Sequence, residues 1–188
     1  GVIKDEPAAL EAAFRQAARE ADAIITSGGV SMGEADHTKA MMKQLGDVAF
    51  WRIAMRPGRP MAVGRITENS KSAVLFGLPG NPVAVMVTFL AFVRPALQRL
   101  MGCQACEPVL LKAHSAEALR KKPGRTEYQR GVVSRGADGS LQVCTTGNQG
   151  SGVLRSMVEA NGLIVLHHAQ GNVAAGDEVD VMMFDGVI

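Results

Sequence analysis

The chain has 188 residues, 47% hydrophobic and 20% charged, a balance that fits a globular chain with a core and excludes a disordered one. Twenty Lys and Arg against 18 Asp and Glu leave a net charge of +2, which argues neither for nucleic acid nor for an acidic membrane as partner. The 3 cysteines are too few for a secreted disulfide framework, the longest apolar run (Val83 to Val93) is about half of what a bilayer requires, and no signal peptide is visible, so the cytoplasm is the expected compartment.

The first residue is Gly rather than Met, and Gly1-Val2-Ile3 reads as the tail of a strand. A parallel α/β unit normally has a strand and helix before such a segment, so the sequence is expected to be a piece of a longer polypeptide. Asp5-Glu6-Pro7 marks a helix start, with a capping carboxylate and Pro in the first turn, and Leu10, Phe14, Ala17, Ala18 and Ala21 recur on one helical face. Ala23 to Thr26 is a short buried strand ended by Ser27-Gly28-Gly29, and Thr38 to Leu45 fits a helix closed by Gly46. Val48 to Met55 and Met61 to Ile66 read as strands around the break Arg56-Pro57-Gly58-Arg59-Pro60. Val74-Leu75-Phe76 is a further strand, and a long apolar helix follows from Pro82 to Leu100, bent at Pro95. Strands alternating with helices indicate a parallel or mixed sheet in an α/β three-layer domain over residues 1–102.

Composition shifts near residue 102. Beyond it only strand-like segments follow: Val109–Ala113, Glu127–Val133, Leu141–Cys144, Gly162–Leu166 and Glu178–Met183, with an Asp-Gly hairpin cue at Asp138-Gly139. Short strands at this density predict a small all-β barrel or sandwich over residues 108–188. Cys103 and Cys106 form a C-x-x-C pair, but it follows a helix end and has only His114 nearby as a further ligand, so it reads as a pair of small linker residues. The four histidines are dispersed and show no metal-ligand spacing.

Four loops could carry chemistry. In Ser27-Gly28-Gly29-Val30-Ser31-Met32-Gly33-Glu34-Ala35-Asp36 a strand delivers a glycine-rich loop to the carboxyl edge of the sheet, where open α/β folds bind ligands. Its glycines let backbone amides approach an anion and its two serines add hydroxyl donors; a tight turn with Asp36 as helix cap explains the residues as well. Arg52, Arg56, Arg59 and Arg65 form a cationic cluster framed by a rigid Pro-Gly loop, suited to phosphate or another tetrahedral oxyanion, or else a solvated basic face. Gly77-Leu78-Pro79-Gly80-Asn81-Pro82 places further amides before a helix, although a plain strand-to-helix connection accounts for it equally. In the second half, Pro123-Gly124-Arg125 to Arg130-Gly131 and Thr145 to Ser151 are polar and turn-rich.

Taken together, residues 27–36, Phe50-Trp51-Arg52-Ile53-Ala54-Met55-Arg56-Pro57-Gly58-Arg59-Pro60, Gly77-Leu78-Pro79-Gly80-Asn81-Pro82-Val83 and Pro123-Gly124-Arg125-Thr126-Glu127-Tyr128-Gln129-Arg130-Gly131 resemble the molybdopterin molybdenumtransferase family, which is related to the C-terminal domain of gephyrin. The resemblance covers essentially the whole chain and corresponds to the C-terminal portion of the family. It implies that the α/β domain is a pterin-binding domain and the second a C-terminal β-barrel. It also implies a reaction: molybdenum from molybdate enters adenylylated molybdopterin as AMP leaves, with Mg²⁺ or another divalent ion. Asp5 and Asp36 match the family's important acids and are the implied catalytic and metal-holding residues. Ser27, Gly28, Gly29, Ser31, Gly33, Arg52, Arg56, Pro79, Gly80, Asn81, Pro82, Arg130 and Ser151 are the implied substrate-binding positions. Arginine stands at 52 and 56 where the family usually has lysine, and Ala84 where it usually has serine. A homodimer with no nucleic acid or membrane partner is expected. The alternatives are a non-catalytic scaffold and a pterin-binding module of the same family.

Overall fold

Pro7 starts the first helix, α1 (Pro7–Glu20), at the position where a missing N–H costs nothing. The expected capping carboxylate is not used: Glu6 is the cap residue, in an extended conformation, and no side-chain hydrogen bond closes the helix start. Leu10, Phe14 and Ala18 fall on one face and are buried, whereas Ala21 is exposed because the chain has already turned extended there. The computed structural model describes residues 1–30, 37–104 and 107–184. Gly1 to Lys4 are irregular rather than the tail of a strand; Val2 is fully exposed, and no described strand offers them ladder partners.

The chain divides into two units, Gly1–Ile53 with Gly58–Leu97, and Ala54–Pro57 with Gln98–Ile188. In the first, β1 (Ala23–Ser27), α2 (His37–Leu45), β2 (Gly46–Arg52), β4 (Pro60–Glu68) and β5 (Lys71–Leu78) surround a four-stranded sheet of order β1-β5-β4-β2. β1 runs parallel to β5 and the remaining pairs are antiparallel, so the sheet is mixed. Residues of β4 and β5 alternate between two cores, as the period of a strand dictates. Ala62, Ile66, Ala73 and Leu75 pack with Leu10, Phe14, Met41 and Met42 of α1 and α2. Met61, Phe76 and Leu78 pack with Val93 and the helical run after β5. Helices on both faces of one sheet make this the α/β three-layer domain.

That run consists of α3 (Pro82–Thr88), a π-helical turn over Phe89–Val93, and α4 (Arg94–Leu100). The sequence suggests a bend at Pro95; the structure instead widens the turn just before it. Pro95 lacks an N–H and its ring crowds the carbonyl four residues back, and a π turn relieves both. Pro82–Leu100, 19 residues of mean hydropathy 1.5, is long and apolar enough by composition to cross a bilayer. Val83, Ala84, Val87, Leu90 and Val93 are nonetheless buried within the unit, and a core helix satisfies the same composition.

The pattern Val48 to Met55 suggests one strand, but β2 stops at Arg52 and the ladder is closed by Ile53 N–H donating to the Arg59 carbonyl at 2.8 Å. Met55–Arg56, β3, pairs in parallel with Thr126–Glu127 of the second unit, to which residues 54–57 belong. There β6 (Leu111–Ser115), β7 (Thr126–Arg135), β8 (Leu141–Thr145), β9 (Gly162–Leu166) and β10 (Glu178–Met183) follow the order β7-β8-β6-β10-β9, and β9 pairs back onto β7. The sheet closes into a five-stranded barrel around Ala113, Val133, Val143, Ile164, Leu166 and Val181. Val109 and Leu110 stay outside β6 because pairing with β10 begins only at Leu111. A short helix, α5 (Arg155–Glu159), gives too few residues for a legible period and has no counterpart in the sequence reading.

Candidate functional site

In the first unit the parallel pair β1–β5 sets Ser27 opposite Leu78, so the loops that follow both strands leave the same sheet edge together. Gly28 N–H donates to the Leu78 carbonyl at 3.0 Å, and Ser27 Oγ donates to the Pro79 carbonyl at 3.4 Å. A Cβ on Gly80 would lie 3.6 Å from the Gly28 Cα. Two motifs far apart in the chain, Ser27-Gly28-Gly29 and Pro79-Gly80-Asn81-Pro82, are therefore one structural feature. Gly28 and Gly29 have φ of +95° and +69°, open to glycine at little cost, and a Cβ on Gly29 would stand 2.4 Å from the Thr38 methyl.

A cavity of about 720 Å³ lies against this edge, with Asp5, Thr26, Ser27, Gly28 and Gly29 at its polar part and Leu10, Phe14 and Ile24 at its apolar part. Asp5 thus joins the glycine-rich loop in one concavity. The Thr26 hydroxyl oxygen is buried with no hydrogen-bond partner among the described residues. Ser31, Gly33 and Asp36 lie outside the described residues, as does Cys106. Among the described residues no three His, Cys, Asp or Glu side chains cluster in a way that could hold a metal ion. Cys103 is exposed.

The arginine cluster of the sequence divides between the units. Arg52, Arg59 and Arg65 belong to the first; Arg52 and Arg59 are exposed, and Arg65 donates to the Ser72 hydroxyl at 3.2 Å. Arg56 belongs to the second, where it shares a cavity of about 270 Å³ with Arg130, Arg120, Glu127, Tyr128 and Gln149. Arg130 is only 1% exposed. Its Nε donates to Ser156 Oγ at 2.9 Å and its Nη2 to the Gly150 carbonyl at 2.9 Å, while Gln149 Oε1 accepts its backbone N–H at 2.7 Å. Every one of these partners is neutral. Burial, and then the positive charge of Arg56, pulls the Arg130 pKa below its ordinary value.

The acids of this cavity are already engaged. Glu127 accepts from Arg125 at 2.8 Å, and Glu117 accepts from both the N–H and the hydroxyl of Thr145 at 2.7 Å. Burial pushes the Tyr128 phenol up from its ordinary pKa, keeping it a hydrogen-bond donor. With Arg56, Arg120 and Arg130 on its wall against Glu117 and Glu127, and with Glu127 paired to Arg125, the concave site keeps a net positive charge suited to an oxyanion. Ser151, expected beside Arg130, is exposed on the turn that follows the Gly150 carbonyl. Gln149 lies within the polar loop that the sequence flags, yet only the fold turns its amide onto Arg130. Ser156 carried no sequence signal at all, being a lone serine in a five-residue helix.

Residues 1–99 match the family described as a probable molybdopterin binding domain, and residues 112–184 match the MoeA C-terminal region (domain IV). The chain belongs to this molybdopterin-binding family. It is 41% identical to the molybdopterin molybdenumtransferase of Haemophilus influenzae, over 100% of this chain and 46% of that protein. It is also 32% identical to the gephyrin of Dictyostelium discoideum, over 97% of this chain and 28% of that protein. A solved molybdopterin biosynthesis MoeA protein from Pyrococcus horikoshii superposes with a TM-score of 0.73 at 27% identity, over 99% of this chain and 43% of its own. The chain thus spans less than half the length of these relatives.

Proposed function

We propose that this chain acts in molybdenum cofactor biosynthesis, taking adenylylated molybdopterin and molybdate and inserting molybdenum into the dithiolene with release of AMP. The observation that carries this reading is Arg130, a guanidinium 1% exposed that has only neutral partners and shares its cavity with Arg56. A buried guanidinium hydrogen-bonded to no carboxylate among the described residues favours an anionic guest, and molybdate, a tetrahedral dianion, matches paired guanidinium donors. Arginine at 56 keeps the charge that lysine gives in the family and adds a planar donor fork.

In the first unit, the amides and hydroxyl of Ser27-Gly28-Gly29 and the adjoining Pro79-Gly80-Asn81-Pro82 loop suit the phosphates of the adenylylated pterin. Mg²⁺ is commonly held by one or two carboxylates with substrate phosphates and water completing its shell. Asp5, on the wall of that cavity, supplies one such carboxylate, and the ion when bound would neutralise phosphate charge; Asp36, the second acid of the sequence, lies outside the described residues. The acids themselves repel molybdate, so they serve the phosphates while Arg56 and Arg130 serve the oxyanion. Calorimetric titration of the chain with molybdate, and separately with adenylylated molybdopterin, tests the reading. Saturable binding of both is expected; no heat from either ligand would overturn it.

A further inference from the structure

The guanidinium of Arg130 is held by a set of acceptors that leaves one of its edges unused. Nε–H goes to Ser156 Oγ at 2.9 Å, and Nη2 goes to the carbonyls of Gly150 and Asn148 at 2.9 and 3.4 Å. Nη1 makes no hydrogen bond with a described residue, although Arg130 lines the cavity. Ser156 is 1% exposed and does not line the cavity.

The serine can play only one part towards the arginine. A hydroxyl carries one proton and two lone pairs. The Ser156 proton is committed to the Val153 carbonyl at 2.6 Å, which leaves a lone pair to receive Nε–H. The Ser156 carbonyl in turn accepts from the Thr146 hydroxyl at 3.2 Å, tying α5 to the loop that supplies the other acceptors. Because a guanidinium is planar, fixing Nε and Nη2 fixes the direction of Nη1.

Building on the oxyanion reading above, we propose that Ser156 is a positioning residue for molybdate: it locks the plane of Arg130 so that the Nη1 edge meets the oxyanion, and sets affinity without touching the ligand. Neutral acceptors serve this purpose where a carboxylate would not, since they orient the cation and leave its charge for the guest.

The test uses the full chain, molybdate as probe, and two readouts. Calorimetry gives the affinity, and ¹⁵N NMR follows solvent exchange of the Arg130 Nε–H, which reports its hydrogen bond whether or not an anion binds. Ser156→Ala is expected to weaken molybdate binding about tenfold, the scale of one hydrogen bond to a charged group, and to speed Nε–H exchange. Ser156→Thr, which keeps the hydroxyl, is expected to restore both. Wild-type affinity and slow exchange in Ser156→Ala would overturn the proposal, and so would a folded Ser156→Thr as impaired as Ser156→Ala. Should Ser156→Ala not fold, Ser156→Cys, similar in size but a weak acceptor, gives the same comparison. A wild-type chain that takes up no molybdate would overturn the functional reading and the affinity effect with it. The exchange rates would then decide separately whether Ser156 holds Arg130.

Discussion

The backbone N–H of Gly28 donates to the carbonyl of Leu78 at 3.0 Å, carrying the parallel β1–β5 ladder one residue beyond the end of β1. This bond draws the glycine-rich loop against the Pro79-Gly80-Asn81-Pro82 loop, and only backbone without a Cβ fits the path that follows. Gly29→Ala is therefore expected to destabilise the chain by about 1–3 kcal/mol, from left-handed backbone strain and overpacking on Thr38. Gly171→Ala, where a Cβ meets nothing within 4 Å, is expected to change stability by less than about 0.5 kcal/mol. Urea denaturation of both variants checks the contrast.

Thr26 places a buried hydroxyl beside the same loop without a partner among the described residues. Replacing an unsatisfied polar group by an apolar one of the same shape is neutral or stabilising. Thr26→Val is expected to leave the thermal midpoint unchanged or raise it. A clear fall would mean that the hydroxyl is satisfied in solution.

The divided arginine cluster gives a second contrast. Arg56→Ala is expected to weaken molybdate binding about ten- to a hundredfold, the scale of one charge-assisted hydrogen bond. Arg65→Ala, which loses only a contact to Ser72 at 3.2 Å on the surface of the other unit, is expected to leave the affinity unchanged. Equal small losses, both abolished by added salt, would instead describe a diffuse field.

Asp180 on β10 links the barrel to pH. It accepts a hydrogen bond from His167 Nε2 at 2.6 Å and pairs with Lys112 at 3.0 Å. The His167 bond, opposed by desolvation and aided by Lys112, holds its carboxyl below the ordinary 3.8. A folded-state pKa below the unfolded one contributes stability above the unfolded value and loses it as the pH falls through the folded value. Asp180→Asn is therefore expected to be less stable than the wild type at neutral pH, with a difference that shrinks below 3.8 and vanishes once the native carboxyl is protonated. Denaturant midpoints measured across that range check the sign.

β1 is an edge strand: one side pairs with β5, the other has no partner among the described strands, and Ile25 is 45% exposed. Open edges of this kind favour pairing with a further chain. Self-association to a dimer or larger species is the expected result in size-exclusion chromatography with light scattering. A strictly monomeric chain at all concentrations would contradict it.

The sequence by itself determined the two folds and marked the residues around which the candidate site is read. Alternation in β4 and β5, the helical face of Leu10, Phe14 and Ala18, and the short strands after residue 110 are local periodicities, and each element's burial follows from them. Glycine at 28 and 29 and the framed Arg56 were legible for the same reason, since turn chemistry is written in neighbouring residues. Tertiary structure alone decided that Met55–Arg56 leaves the first unit to pair with β7, because a two-residue strand has no period of its own. It also decided that Arg56 and Arg130 share a cavity, and that Ser156 and Gln149 fix Arg130. Those contacts join segments whose separation along the chain carries no pattern. They exist because the barrel closes, burying a cation whose partners among the described residues are the hydroxyl and carbonyls that closure brings to it.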